Sequence, residues 1–168
     1  MRTAGPAGTA HGQNDSLTYE IQESLVVPVP PAEVYAAVSD VTRTGEWSPQ
    51  CRRCTWDSDA RGVGARFTGD NRTPEREWST TSEVVADEPG EHFAWSVGPG
   101  RVVWRFLLRA VPEGTELIEH TRTTPQLLEV LTERYGDRAE EEIAIRQEAA
   151  RAGTPATLAT IREVLTAG

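Results

Sequence analysis

The chain has 168 residues, a net charge of −9 and a pI near 4.9, and no block of lysines or arginines long enough to track phosphates. That balance argues against nucleic acid and anionic membrane surfaces as partners. No apolar run approaches the roughly 20 residues of a membrane span, and the N-terminus lacks the apolar core of a signal peptide, so the composition predicts a cytoplasmic protein.

Residues 1–16 are rich in Gly, Ala, Thr and Pro without periodicity, which predicts a disordered tail that includes His11 and leaves 17–168 as one folded domain. A single domain of this size buries about 70% of the surface of its unfolded chain. From Leu17 to Pro28, Tyr19, Ile21, Leu25 and Val27 alternate with Thr18, Glu20, Gln22 and Ser24, the pattern of a first strand, which Pro30 and Pro31 stop. Pro31 to Val38 reads as a short helix with proline in its first turn, and a second short helix ends at Gly45.

After Trp47-Ser48-Pro49, strand-like runs follow at about 51–56, 65–72, 76–87, 92–98, 102–111 and 115–123. Turn signals separate them, among them Thr73-Pro74, Glu88-Pro89-Gly90 and Gly98-Pro99-Gly100. Short turns between neighbouring strands predict an antiparallel sheet. From Pro125 the pattern is helical, with Leu127, Leu128 and Leu131 leading into a charged stretch, Asp137 to Arg151. An amphipathic segment with Leu158, Ile161, Val164 and Leu165 closes the chain. Gly153 to Pro155 leaves two alternatives open there, one long kinked helix or two helices.

Five tryptophans, Trp47, Trp56, Trp78, Trp95 and Trp104, fall in the middle of the chain. An indole buries a large apolar body and keeps one N–H donor, so the group suits either a core or the wall of a cavity for flat ligands. Strand parity nominates the lining. If Trp104 faces inward, so do Val102, Phe106 and Leu108; Trp95 brings Phe93, Phe67 brings Gly69 and Asn71, and Trp78 brings Thr80 and Ser82. Asn71, a polar amide on that face, is a candidate to orient a ligand. In the last strand Leu117 and Ile118 are both apolar, so either Glu119 with Thr121 or His120 with Arg122 faces inward.

Cys51-Arg52-Arg53-Cys54 has the spacing of half a zinc site or of a redox motif. A structural zinc site needs four ligands, and His11, His92 and His120 are scattered; a thioredoxin-like pair should open a helix, whereas this one continues as a strand. The two are expected to be reduced structural thiols. No metal cluster, phosphate loop or Ser-His-Asp arrangement emerges, and neither metal nor cofactor is expected.

One strand, two small helices, six antiparallel strands and a long C-terminal helix form an order that resembles the α+β helix-grip fold of the START-like, or SRPBCC, superfamily. Pro31-Ala32-Glu33-Val34-Tyr35 is similar to that family's opening of the first helix, and Trp47-Ser48-Pro49-Gln50-Cys51 to the segment after the second. Gly64 to Arg72, Trp78, Phe93-Ala94-Trp95 and Gly114 to Glu119 follow in the family's sequence, so the resemblance covers roughly 17–165. It implies a sheet of about seven strands wrapped around the C-terminal helix, with a pocket between them. The family includes polyketide cyclases and aromatases, lipid and hormone carriers, and self-resistance proteins that absorb enediynes such as calicheamicin.

The resemblance therefore implies a domain that binds a hydrophobic, polycyclic or polyketide-type molecule, as carrier, sequestration or resistance protein. The lining would be Trp47, Phe67, Gly69, Asn71, Trp78, Thr80, Phe93, Trp95, Trp104, Phe106 and Glu119, since the resemblance favours Glu119 as the inward residue. In a self-sacrificing resistance protein Gly69, Gly98 and Gly100 would be cleavage candidates. The alternative is a polyketide cyclase or dehydrase, with Glu119 or His120 carrying protons. A monomer or a homodimer is compatible with either reading.

Overall fold

The computed structural model describes residues 17–168; the predicted tail and His11 lie outside the described residues. β1 spans Glu20–Val27, followed by α1, Pro31–Val38, and a 3-10 helix, Val41–Glu46. Six strands come next: β2 (Cys51–Trp56), β3 (Arg66–Arg72), β4 (Glu77–Glu88), β5 (His92–Val97), β6 (Val102–Val111) and β7 (Gly114–Thr123). α2, Pro125–Tyr135, and α3, Ala139–Thr166, end the chain. The helix-grip arrangement expected from the sequence is the one observed.

Local chemistry sets the boundaries. Pro30 holds an extended φ of −59° ahead of α1, and Pro31 starts the helix where its missing N–H costs nothing. Asp40 caps the 3-10 helix by accepting from the Thr42 N–H at 3.1 Å. Leu17 to Tyr19 precede the first strand, although Tyr19 N–H still donates to Thr123 Oγ1 at 2.9 Å.

All neighbours in the sheet are antiparallel, in the order β1-β7-β6-β5-β4-β3-β2. Two bulges, between Cys51 and Arg53 in β2 and between Val84 and Ala86 in β4, add the local twist and bending that curve such a sheet. One face packs on the helices: Val27, Phe67, Val84, Phe93, Phe106 and Leu117 join Val34 and Val38 of α1 and Leu158 and Ile161 of α3 in one core. A second cluster unites Tyr19, Val102 and Trp104 with Leu127 and Leu131 of α2 and Ala139, Ile143 and Ala150 of α3.

The C-terminal alternatives resolve as one uninterrupted helix through Pro155. Proline removes the hydrogen bond to the carbonyl of Arg151, but Arg151, Ala152, Pro155 and Ala156 all lie on the solvent side, where water satisfies that oxygen. On the buried side the Thr154 hydroxyl donates to Ala150 O at 2.7 Å.

Candidate functional site

The site is built on the face of the sheet that α3 covers. Away from the bulges in β2 and β4, inward parity holds along the strands, because a period of two sends alternate side chains to one face. β6 contributes Val102, Trp104, Phe106 and Leu108, and β5 contributes Phe93 and Trp95, paired with Phe106 and Trp104. β4 adds Trp78, Thr80 and Ser82, paired with Asn71, Gly69 and Phe67 of β3. The aromatic rings stack into a staircase: Phe93 lies 5.9 Å from Trp95 and Trp95 5.7 Å from Phe106, with Tyr35 of α1 edge-on to Phe93 at 6.5 Å.

That wall grades from closed to open. Phe67, Phe93 and Phe106 are buried in the core, while Trp78, Thr80, Asn71, Trp95 and Trp104 on the same face are only half-buried. Trp47 is buried in the packing between the 3-10 helix and the sheet, with the Arg43 guanidinium 5.3 Å from its ring centre. Trp56, which the sequence left outside the lining, faces inward beside Phe67, 5.6 Å between ring centres.

The packing of β7 settles the choice between Glu119 and His120. Glu119 lies across from Phe106, 5% exposed, and its Oε2 is buried without a hydrogen-bond partner. Burial pushes its pKa up to about 8, because taking a carboxylate out of water favours the neutral acid. His120 points to the opposite face, where its Nε2 lies 2.6 Å from Glu20 Oε1 and its cross-strand neighbour is Arg105. The expectation of His120 as a cavity catalyst therefore fails: alternation along β7 makes Glu119 and His120 mutually exclusive on the inner face, and Leu117, fully buried, sets the parity.

Asn71 Nδ2 donates toward Gly69 O at 3.2 Å, Thr80 Oγ1 at 3.4 Å and Trp78 O at 3.5 Å. These bonds orient the amide and leave its oxygen as an acceptor on the inner face. The tip of the β3–β4 hairpin is tied to the helices by Arg76, which reaches Glu142 of α3 at 3.5 Å and the Tyr135 hydroxyl at 3.4 Å while lying over the Trp78 ring. Glu142 is in turn held ionised, its pKa lowered first by the Arg146 hydrogen bond. Sequence reasoning missed this latch, since nothing in a lone Arg76 marks its partners.

Gly69 faces inward among polar neighbours, whereas Gly98 and Gly100 sit in the β5–β6 turn with φ of 44° and 92°. Two open clefts lie away from Glu119. One of about 380 Å³ is bounded by Leu17, Pro125 and Leu128, and one of about 470 Å³ by Asp40, Trp56 and Arg61. Among the described residues no helix is long and apolar enough to cross a membrane, and no group of three or more His, Cys, Asp or Glu could hold a metal ion.

An antiparallel sheet that grips a C-terminal helix across an aromatic wall, with the buried Glu119 carboxyl on that wall, defines a helix-grip domain. The chain belongs to the polyketide cyclase / dehydrase and lipid transport family, whose model matches residues 18–144. It is 47% identical to a polyketide-cyclase-like protein of Corynebacterium glutamicum, over 89% of this chain and 91% of that one, with a TM-score of 0.65. The fold is shared with the aromatase/cyclase ZhuI of Streptomyces sp. R1128, 12% identical over 87% of this chain and 92% of that one, TM-score 0.68. It is shared also with the di-domain aromatase/cyclase StfQ of the steffimycin pathway, 18% identical, TM-score 0.69, where 91% of this chain matches 52% of that one. No curated protein matches the chain.

Proposed function

We propose that this domain binds a hydrophobic, carbonyl-bearing polycyclic or polyketide-type molecule between the sheet and α3, as a carrier or sequestering protein. The observation that carries this reading is Glu119: a buried carboxyl on an aromatic wall whose Oε2 has no hydrogen-bond partner and whose pKa burial raises to about 8. A neutral carboxylic acid donates one hydrogen bond, and a ligand carbonyl would satisfy it, while the half-buried indoles of Trp78, Trp95 and Trp104 would stack on the rings. The family match and the aromatase/cyclase neighbours support the ligand class. The phenyl rings close the core near Glu119, so on this reading ligand entry requires the wall to open, and the contacts of Arg76 with Glu142 and Tyr135 are ties between hairpin and helices that such an opening would break.

The same carboxyl favours a second reading, a cyclase or dehydrase. With a pKa near neutrality, Glu119 would give its proton to a hydroxyl leaving as water and then take back a carbon-bound proton as carboxylate, so that one water is lost and the enzyme regenerated. Titration of tryptophan fluorescence with aromatic polyketides, an enediyne and fatty acids, followed by mass spectrometry, separates the readings. Saturable quenching with unchanged ligand supports binding, altered ligand supports catalysis, and cleavage at Gly69 would support self-sacrifice. No response to any of them removes the reading.

A further inference from the structure

We propose that Cys51 and Cys54 form a redox-active dithiol on the inner face of the sheet, a modification site that a hydroperoxide oxidises to an intramolecular disulfide. In a regular strand, residues three apart face opposite sides. Here the bulge between Cys51 and Arg53 inserts one extra residue and turns both thiols inward. The two Sγ atoms lie 3.3 Å apart.

The neighbouring strand makes room for the pair. Cys54 is registered against Gly69 and Cys51 against Asn71, and a Cβ added at Gly69 would sit 3.5 Å and 3.7 Å from the two sulfurs. Burial is graded, with Cys54 inside and Cys51 half-exposed, so a small oxidant reaches the pair past Cys51. The first proton leaves Cys54: the Cys51 thiol hydrogen-bonds to it and lowers its pKa, helped by the Thr44 hydroxyl against burial, while the Cys51 pKa is raised. Among the described residues no third metal-ligating side chain joins the two sulfurs in a group.

The Cys54 thiolate attacks one peroxide oxygen, an S–O bond forms, the O–O bond breaks, and hydroxide leaves and takes a proton to become water. The Cys51 sulfur then attacks the Cys54 sulfenic acid, an S–S bond forms, the S–O bond breaks, and a second water leaves with the Cys51 proton. The dithiol loses two electrons, and the peroxide gains them. This reading does not depend on what occupies the site near Glu119.

The test is intact-mass spectrometry of the purified native chain after brief exposure to hydrogen peroxide, with non-reducing digestion. The expected result is a loss of about 2 Da, from removal of two hydrogens, with Cys51 and Cys54 linked within one peptide and the mass restored by dithiothreitol. Cys51→Ser should instead stop at a Cys54 sulfenic acid that dimedone traps. Thiols that stay reduced, or that go to sulfinic acid or to an intermolecular disulfide, would overturn the proposal. Should Cys51→Ser fail to fold, the wild-type mass decides alone.

Discussion

Glu119 faces Phe106 across the β6–β7 ladder, so the one ionisable side chain on the inner face of β7 meets an aromatic ring and not a counter-charge. Its pKa is raised to about 8 by burial. The folded state binds a proton that the unfolded state loses near the ordinary carboxylate value of about 4.3. The stabilisation is fully present below that value and is lost as pH rises through about 8, a change on the order of 5 kcal/mol across the window. Thermal melts of wild type should fall between about pH 5 and 8 by several degrees more than those of Glu119→Gln. Parallel curves would contradict the assignment.

The Arg76 latch is partly exposed, so its ion pair with Glu142 adds only about 0–1 kcal/mol. Arg76→Ala should leave the melting temperature within a few degrees of wild type. Hydrogen exchange should nevertheless quicken in 73–80 and 135–146, where the hairpin and the helices lose their tie. Unchanged exchange would show that the hairpin is held by other contacts.

Gly45 is solvent-exposed, yet a Cβ there would lie 2.2 Å from the carbonyl oxygen of Arg52. Backbone cannot yield as a side chain does, so Gly45→Ala should cost roughly 1–3 kcal/mol, read from a lower urea midpoint at unchanged m-value. A neutral result would mean that the 3-10 helix shifts freely against β2.

Ile161 is fully buried where α3 meets the sheet. Truncation to alanine leaves a cavity and should cost about 2–5 kcal/mol, measured by the same urea titration. A cost well below that range would mean that α3 rests loosely on the sheet.

Parity was legible wherever a strand carried one clear apolar alternation. From Trp104 alone, Val102, Phe106 and Leu108 follow, and the structure places all four inward. In β7 the adjacent Leu117 and Ile118 hid the parity, because both suit a sheet interior; only the packing of Leu117 beneath α3 separates Glu119 from His120. The bulge that pairs Cys51 with Cys54 left no mark in the sequence, since it depends on how β2 meets β3. Pro155 left one long helix and two helices both open in the sequence; the helix runs on because the residue whose carbonyl the proline orphans, Arg151, lies on the solvent side. Long-range ties such as Arg76 to Glu142 join residues 66 positions apart and could not be read from spacing.

The most direct test of the central claim, a protonated Glu119 anchoring a ligand carbonyl, is a fluorescence titration with a carbonyl-bearing aromatic polyketide across pH. Wild type should show saturable tryptophan quenching whose Kd rises about tenfold per pH unit above about 8, while Glu119→Gln, which keeps a donor but cannot ionise, should bind independently of pH. Quenching that is absent, or a wild-type affinity that stays level through that range, would contradict it.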